Sequence, residues 1–346
     1  MRKLATVRRI DSIRSIDGAD AIECAVVGGW TVVTKKGEFQ PGDLAIYCEI
    51  DSWIPHELAP FLSRGQEPRE HQGIRGERLR TVKLRGQLSQ GLLLPFTATL
   101  AVKLNPKLGA RFDDYLNSDV ADLLGIIKYE PPIPAQLAGD VKGVFPGFIP
   151  KTDQERIQNL SSELEQWKAD GLLWEVTEKL DGSSMTVYFY DNDVGVCSRN
   201  LELKDTASNT LWQVAHRNGI VSLLYDLSRN IALQGEIIGE GIQGNPYKIR
   251  GQSFYVFDIY DIDQGRYFSP VERQLFCELY EILHVPIVEN LVTDAQATVG
   301  NLLMTAEGPS VLNSKTEREG LVFKSTMQPN LSFKAISNRF LLKSGG

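Results

Sequence analysis

Residues 178–184 read Glu178-Lys179-Leu180-Asp181-Gly182-Ser183-Ser184. The lysine ends an apolar, strand-like run and precedes a turn signal, a place where an ammonium can sit at a sheet edge facing a cleft. An amine with a pKa of about 10.4 is a poor nucleophile in water. Desolvation and neighbouring cations would lower that value and make the amine reactive at neutral pH. Lys-x-Asp-Gly by itself arises by chance in roughly one in ten chains of this length, so the assignment needs further residues. Other chemistries lack their signatures: there is no GxxxxGK[ST] loop and no HExxH. The four histidines (His56, His71, His216, His284) are scattered and read as structural or exposed.

The elements that would hold such a lysine fall into two parts. Val7–Ile10, Ile22–Val27, Val32–Val33, Leu44–Ile46 and Leu92–Leu94 are short strand candidates bounded by turn residues, followed by a helix near Val120–Ile127. About five strands fit an oligonucleotide/oligosaccharide-binding (OB) barrel, although strand counting does not choose it over other small β folds. Glu130-Pro131-Pro132-Ile133-Pro134 reads as a linker. A helix is then expected from the capping-box spacing Thr152-Asp153-Gln154-Glu155, with Ile157, Leu160, Leu164 and Trp167 on one face. Strands are expected at 173–178, 185–190, 194–198, 233–238, 254–260, 321–325 and 331–335, and helices at 209–228, 271–283 and 294–307. Long strands interleaved with helices without βαβ regularity predict an α+β fold with antiparallel sheets.

Composition bounds the reading. The chain has 346 residues, 42% hydrophobic and 23% charged, enough for two folded domains. Its net charge of -7 disfavours wrapping nucleic acid by bulk charge. Residues 1–130 carry 18 basic against 17 acidic residues, and 131–346 carry 19 against 27. Within the first part, Arg64, Arg69, Arg75, Arg78, Arg80, Lys83 and Arg85 face three glutamates. A basic hairpin there could track a phosphate backbone, and a solvated loop reads equally well. Cys24, Cys48, Cys197 and Cys277 have no paired spacing, which points to a reducing compartment. No run suits a signal peptide or a membrane span, so a cytoplasmic protein is expected.

After the lysine come Ser198-Arg199, Gly235-Glu236, Phe254-Tyr255-Val256-Phe257-Asp258, Glu319-Gly320-Leu321-Val322-Phe323-Lys324 and Phe333-Lys334. In this order the set resembles motifs I, Ia, III, IIIa, IV and V of the covalent nucleotidyltransferases, the polynucleotide ligases and RNA-capping enzymes. The chemistry agrees. Attack of an amine on an α-phosphate builds negative charge, so the site needs cations and a divalent metal more than acid–base groups. The resemblance implies Lys179 as the nucleophile that forms lysyl–AMP from ATP. It implies Arg199, Lys324 and Lys334 as fixed positive charge that also lowers the lysine pKa, and Glu236 as a ribose acceptor. It implies Phe257 and Val322 around the adenine, Glu178 at the adenine edge and Ser184 near the ribose. Asp181 and Glu319 would hold Mg2+ or Mn2+ and its waters.

With only twelve residues after Lys334 and a β barrel in front, the order is similar to the Deinococcus-type ATP-dependent RNA ligases. The run Phe148-Ile149-Pro150-Lys151-Thr152-Asp153 adds to that likeness. The expectation is an OB-like module (1–130), a linker (131–150) and an antiparallel-sheet, ATP-grasp-like nucleotidyltransferase domain (151–346). It would work as a monomer sealing 3′-OH/5′-phosphate nicks in duplex RNA or RNA-containing nucleic acid. One departure is Ile336, where related ligases often place a second motif V lysine; Lys343, Lys324 and Lys248 are candidates to replace it. A DNA ligase, a GTP-dependent capping enzyme and a non-catalytic RNA-binding module remain as alternatives.

Overall fold

A computed structural model of the chain describes residues 3–104, 112–130, 139–293 and 297–344. The chain divides into two compact units, Met1–Pro131 with Gln158–Ser161 and Leu341–Gly346, and Pro132–Ile157 with Ser162–Phe340. In the first, Leu44–Cys48 is a central strand, antiparallel to Ala5–Arg9 on one side and Leu92–Pro95 on the other. Its successive side chains serve two cores. Ala45 and Tyr47 pack with Val27, Trp30, Val32 and Leu93, while Ile46 and Cys48 pack with Val7, Ile54 and Leu79. A strand buried on both faces is a continuous apolar run, which is why this one is visible in sequence. Ser12–Ser15, Ile22–Val27 and Trp30–Lys35 form a second sheet, and four short strands between Ser52 and Lys128 a third.

All five expected strands of this unit lie in or overlap observed ones. The helix expected at Val120–Ile127 does not form. Val120 N–H is committed to Ala5 O, and Asp122–Leu124 makes a single 3-10 turn closed by Gly125 at φ 65°. Ile127–Lys128 then joins Ser52–Pro55 as a strand. Of the expected linker, residues 131–138, with its prolines, lie outside the described residues, whereas Val141–Val144 is a strand of the second unit.

The second unit stacks its chemistry between two sheets. The larger has seven antiparallel strands, with Ser183–Tyr190, Ile231–Gly239 and Gln252–Asp261 adjacent. One face buries Met185, Val187, Leu233, Val256 and Ile259 against Trp212 and Leu224 of helices Thr210–Arg217 and Ile220–Leu227. These two helices replace the single one expected over 209–228, because Gly219 at φ 71° breaks it. The smaller sheet runs Glu155–Arg156, Ser332–Ile336, Gly320–Ser325, Leu173–Lys179, Ile287–Val292. Its first pair is parallel, which overturns the helix start at Thr152: the 155–156 backbone pairs with Phe333 and Lys334 instead, and the helix begins at Ser161. The last expected helix is Val299–Ala306, capped by Thr298, and residues 294–296 lie outside the described ones.

Alternation along the smaller sheet separates two tasks. Trp174, Phe323 and Phe333 turn to one face and stack with Trp167 of the 161–170 helix. Ring centroids are 4.6 Å apart for Phe323–Phe333 and 5.4 Å for Trp167–Phe333. Glu175, Thr177 and Lys179 share the opposite face with Val322, Lys324 and Lys334, by cross-strand register. All four cysteines are buried free thiols.

Because Phe333 is 1% exposed at the centre of the aromatic stack, Phe333→Ala should destabilise the protein by about 3–5 kcal/mol. Urea unfolding followed by tryptophan fluorescence measures this, and a midpoint within error of the parent would refute the packing role.

Candidate active site

Lys179 is the last residue of its strand and pairs with Gly320 on the neighbouring one. That register sets its side chain beside the residue preceding the glycine. Lys179 Nζ lies 2.7 Å from Glu319 Oε2, with the two side chains 26% and 16% exposed. Gly320 lets the Ser332–Ile336 strand close on its other side, since a Cβ there would collide with the Ala335 carbonyl. Leu180 turns down into an apolar cluster with Ile238, Tyr247 and Val285. The next backbone N–H, that of Asp181, donates to Tyr247 Oη at 2.6 Å. Gly182 then packs directly on the strand carrying Glu236, where a Cβ would stand 2.8 Å from Glu236 Cγ. Glycine at 182 therefore lets the lysine loop and the Glu236 strand close on each other.

The result is one ammonium among three carboxylates. Burial and the neighbouring Glu319 push Asp181 up to about 6, against the pull of Lys179. Burial raises Glu236 to about 8; Lys179 opposes that, and Glu319 and Asp181 add to it. For Lys179 itself, burial disfavours the charged form, but Glu319, Glu236 and Asp181 outweigh it and the pKa rises. This corrects the expected cation-lowered lysine. The nearest charges are carboxylates, so in this state the amine is an ammonium.

The other expected residues distribute as follows. Ser184 is the direct cross-strand partner of Glu236 and lines a narrow recess with Lys151, Thr152, Asp153, Thr186 and Arg199. Arg199 is close enough to favour the Glu236 carboxylate, and its guanidinium is held by Asp153 at 2.5 Å. Phe257 is the extra residue of a β-bulge, between Asp258 opposite Gln234 and Val256 opposite Gly235. The bulge keeps Phe257 off the helix-covered core and in the cluster with Leu180, Tyr247 and Leu312. Val322 sits on the cleft-facing row Thr177–Val322–Lys334, which the parallel pair extends to Arg156. Glu178, one residue from the lysine, points the other way by strand alternation. Its Oε2 accepts from Val311 N–H at 2.7 Å. Burial raises its pKa, with the Ser310 and Val311 hydrogen bonds pulling it back.

Lys324 is not with the others. It is 4% exposed, its ammonium bonds Asp258 and lies 5.2 Å from the Tyr267 ring centroid. Asp258 is 3.8 Å from Arg273, which pairs with Glu175 and donates from Nε to His284 Nε2 at 2.9 Å. Burial, then Arg273, pushes His284 down to about 4, so it is the neutral acceptor. This buried charge chain braces the two sheets behind the open end of the cleft, and burial lowers the Lys324 pKa. Sequence reasoning missed Asp258, Arg273 and Glu175. The one available signal was an acid interrupting the apolar 254–259 run.

Among the described residues, no three His, Cys, Asp or Glu side chains converge tightly enough to cage a metal. Two or three hard oxygen donors in surplus over one cation nonetheless suit a divalent ion that keeps most of its ligands as water and phosphate.

A family model described as RNA ligase matches residues 172–343, and an OB-fold domain model matches residues 4–96. Among solved structures, a Naegleria gruberi RNA ligase variant in its apo form is similar at 50% identity and TM-score 0.87, covering 98% of this chain and 97% of its own. A variant of that ligase with ATP and Mn gives TM-score 0.86 at 50% identity, covering 98% of each chain. The form with PPi gives 0.87 at 50%, covering 99% and 98%. No curated protein matches.

The crowded carboxylates generate a pH signature. The folded pKa of Glu236, about 8, exceeds the usual glutamate value, so the native state keeps a proton that the unfolded chain releases. That contribution to stability is complete below about pH 4 and lost as pH rises towards 8. Glu236→Gln keeps the shape without the titration. In chelator, its stability relative to the parent should therefore grow between about pH 5 and 8 and level off above. Urea titrations at stepped pH read this; a constant offset across the range would contradict it.

Proposed function

The chain belongs to the RNA ligase family, and from that premise we propose that it seals RNA nicks with ATP through Lys179. The observation that carries the reading is the Lys179–Glu319 contact at 2.7 Å, enclosed by Asp181 and Glu236. Before attack the ammonium must lose a proton, and Glu319 Oε2 is the acceptor already in place. The amine then attacks the α-phosphorus of ATP: a P–N bond forms, the bond to the β-phosphate oxygen breaks and pyrophosphate leaves. The 5′-phosphate of the nick next attacks the lysyl–AMP phosphorus, the P–N bond breaks and Lys179 takes a proton back. Finally the 3′-hydroxyl attacks the 5′-phosphorus, loses its proton and releases AMP. All three are phosphoryl transfers, served by fixed charge and positioning.

Phe257 and Val322 would bound the adenine, and Glu178, which by its place before Lys179 would reach the adenine edge, lies on the other face of the strand with Oε2 on Val311 N–H. Glu236 and Ser184, paired across adjacent strands, would face the ribose. Arg199 and Lys334 would meet phosphate, and Arg156, paired with Lys334 in register, would add a cation to that row, while Ile336 pairs with Gly320. Lys324 would support this face from behind. A Mg2+ or Mn2+ ion held through Asp181 and Glu319 would neutralise the carboxylates that keep Lys179 charged and stabilise charge on the phosphates. The ATP- and Mn-containing forms of the Naegleria ligase support this.

The finer assignments belong to the same reading. We assign the chain to the Deinococcus-type ligases on the order of its parts, an OB-like module followed by a nucleotidyltransferase domain whose large sheet already includes Val141–Val144. No helix among the described residues is long and apolar enough to cross a membrane. Four buried free thiols favour the cytoplasm, where the protein would act as a monomer on a nick with ribonucleotides on the 3′-OH side.

Incubation with α-labelled ATP and Mn2+ tests the chemistry. The parent should form a covalent, acid-labile adduct, and Lys179→Ala should reduce it below detection while retaining fold by circular dichroism. An adduct that survives Lys179→Ala would overturn the assignment, labelling by GTP instead of ATP would indicate capping chemistry, and equal sealing of DNA 3′ ends would remove the RNA preference.

A further inference from the structure

The seven basic residues between Arg64 and Arg85 are not equivalent once folded. Arg69 Nε is 3.3 Å from Glu77, Arg75 pairs with Glu67, and Arg78 is 2.7 Å from Asp51 with its guanidinium over the Tyr129 ring. Arg80 is also engaged. Arg64 ends a separate 3-10 turn. Lys83 and Arg85 remain: both are exposed, neither has a carboxylate within salt-bridge distance among the described residues, and they share one element.

That element is a two-stranded ribbon, Val82–Leu84 with Gln87–Ser89. Its base is fixed to the Trp30–Lys35 strand. Thr31 Oγ1 donates to Leu88 O at 3.1 Å, Val33 N–H donates to Ser89 Oγ at 3.0 Å and Gln90 N–H to Thr31 O at 2.8 Å. Its tip is the two-residue turn Arg85-Gly86, with φ 48° and 83°. Such a turn favours Asn or Gly at its first position. An arginine there is held in the left-handed region, which fixes its Cα at the apex of the turn. Two exposed cations without carboxylate partners among the described residues, on a ribbon with an anchored base, in a chain of net charge -7, fit a polyanion.

We propose that the Val82–Ser89 ribbon is a phosphate-tracking finger, with Lys83 and Arg85 binding the sugar-phosphate backbone of the RNA duplex. The inference rests on the RNA-ligase reading and adds to it which surface of the first unit meets the substrate. Backbone contacts of this kind add affinity without reading sequence, and each neutralised phosphate releases counterions.

The test uses the full chain and a fluorescent nicked RNA duplex with 3′-OH and 5′-phosphate ends, its binding followed by anisotropy from 50 to 200 mM KCl. Replacing both residues (Lys83→Ala with Arg85→Ala) should weaken binding and reduce the slope of log K against log[salt] by about 1–2, close to 0.9 per lost phosphate contact. Arg85→Gly separates charge from folding. It relaxes the turn, so thermal stability should hold or rise while the slope falls by about 1. The charge-conserving pair Lys83→Arg with Arg85→Lys should restore the parent slope. Adenylylation by labelled ATP without RNA should be unchanged in all of these variants. A parent that makes no adduct fails the ligase reading; normal adducts with an unaltered slope, or no binding of the duplex by the parent, overturn the finger.

Discussion

One ammonium faces three carboxylates at the mouth of the cleft, and that imbalance organises the catalytic unit. Left alone, the cluster relieves itself by holding protons: Asp181 and Glu236 stay partly neutral, and Lys179 stays charged. Such a site is tuned for arriving charge. Asp181 and Glu319 would hold a divalent ion, and such an ion would supply positive charge that offsets the carboxylates keeping Lys179 protonated. On the proposed ligase reading, Lys179 would become reactive when its substrate arrives, since its nearest charges in the protein are carboxylates.

Holding like charges this close demands stiff backbone, and the glycines show how it is obtained. Gly182 and Gly320 are positions where one extra carbon would strike a neighbouring strand. Each lies beside a charged residue of the cluster, so the strand ends close on one another without side chains between them. Behind them, Lys324, Asp258, Arg273 and Glu175 pair in the interior. Buried ion pairs are weak sources of net stability, because desolvation offsets much of the attraction. They do forbid sliding, since any shift would leave an unpaired buried charge. Register between the two sheets, on which the Lys179–Glu236 approach depends, is held in this way.

The two faces of the smaller sheet illustrate a division of labour set by alternation. Trp174, Phe323 and Phe333 anchor one side through aromatic stacking, while their sequence neighbours line the cleft. Glu178 and Lys179, adjacent in the chain, consequently look in opposite directions. The Glu178 carboxylate is left buried, with Oε2 accepting from the Val311 N–H.

Much of this was written in the chain. Apolar alternation marked the long strands from 173 to 335, and the resemblance of motif order to the nucleotidyltransferases grouped Lys179, Glu236 and Glu319, which the folded sheets bring together. Strands of the first unit such as Ser12–Ser15, Ser52–Pro55 and Gln87–Ser89 stayed hidden, since three or four residues carry too little periodicity. The helix readings at 120–127 and 152–156 failed because local capping and spacing were overruled by backbone partners more than a hundred residues away, Ala5 and the Phe333–Lys334 pair. The sign of the lysine's pKa shift and the diversion of Lys324 to Asp258 are likewise tertiary facts. Sequence lists which charges exist, but electrostatic energy depends on distance and burial, and those arise only when the sheets face each other.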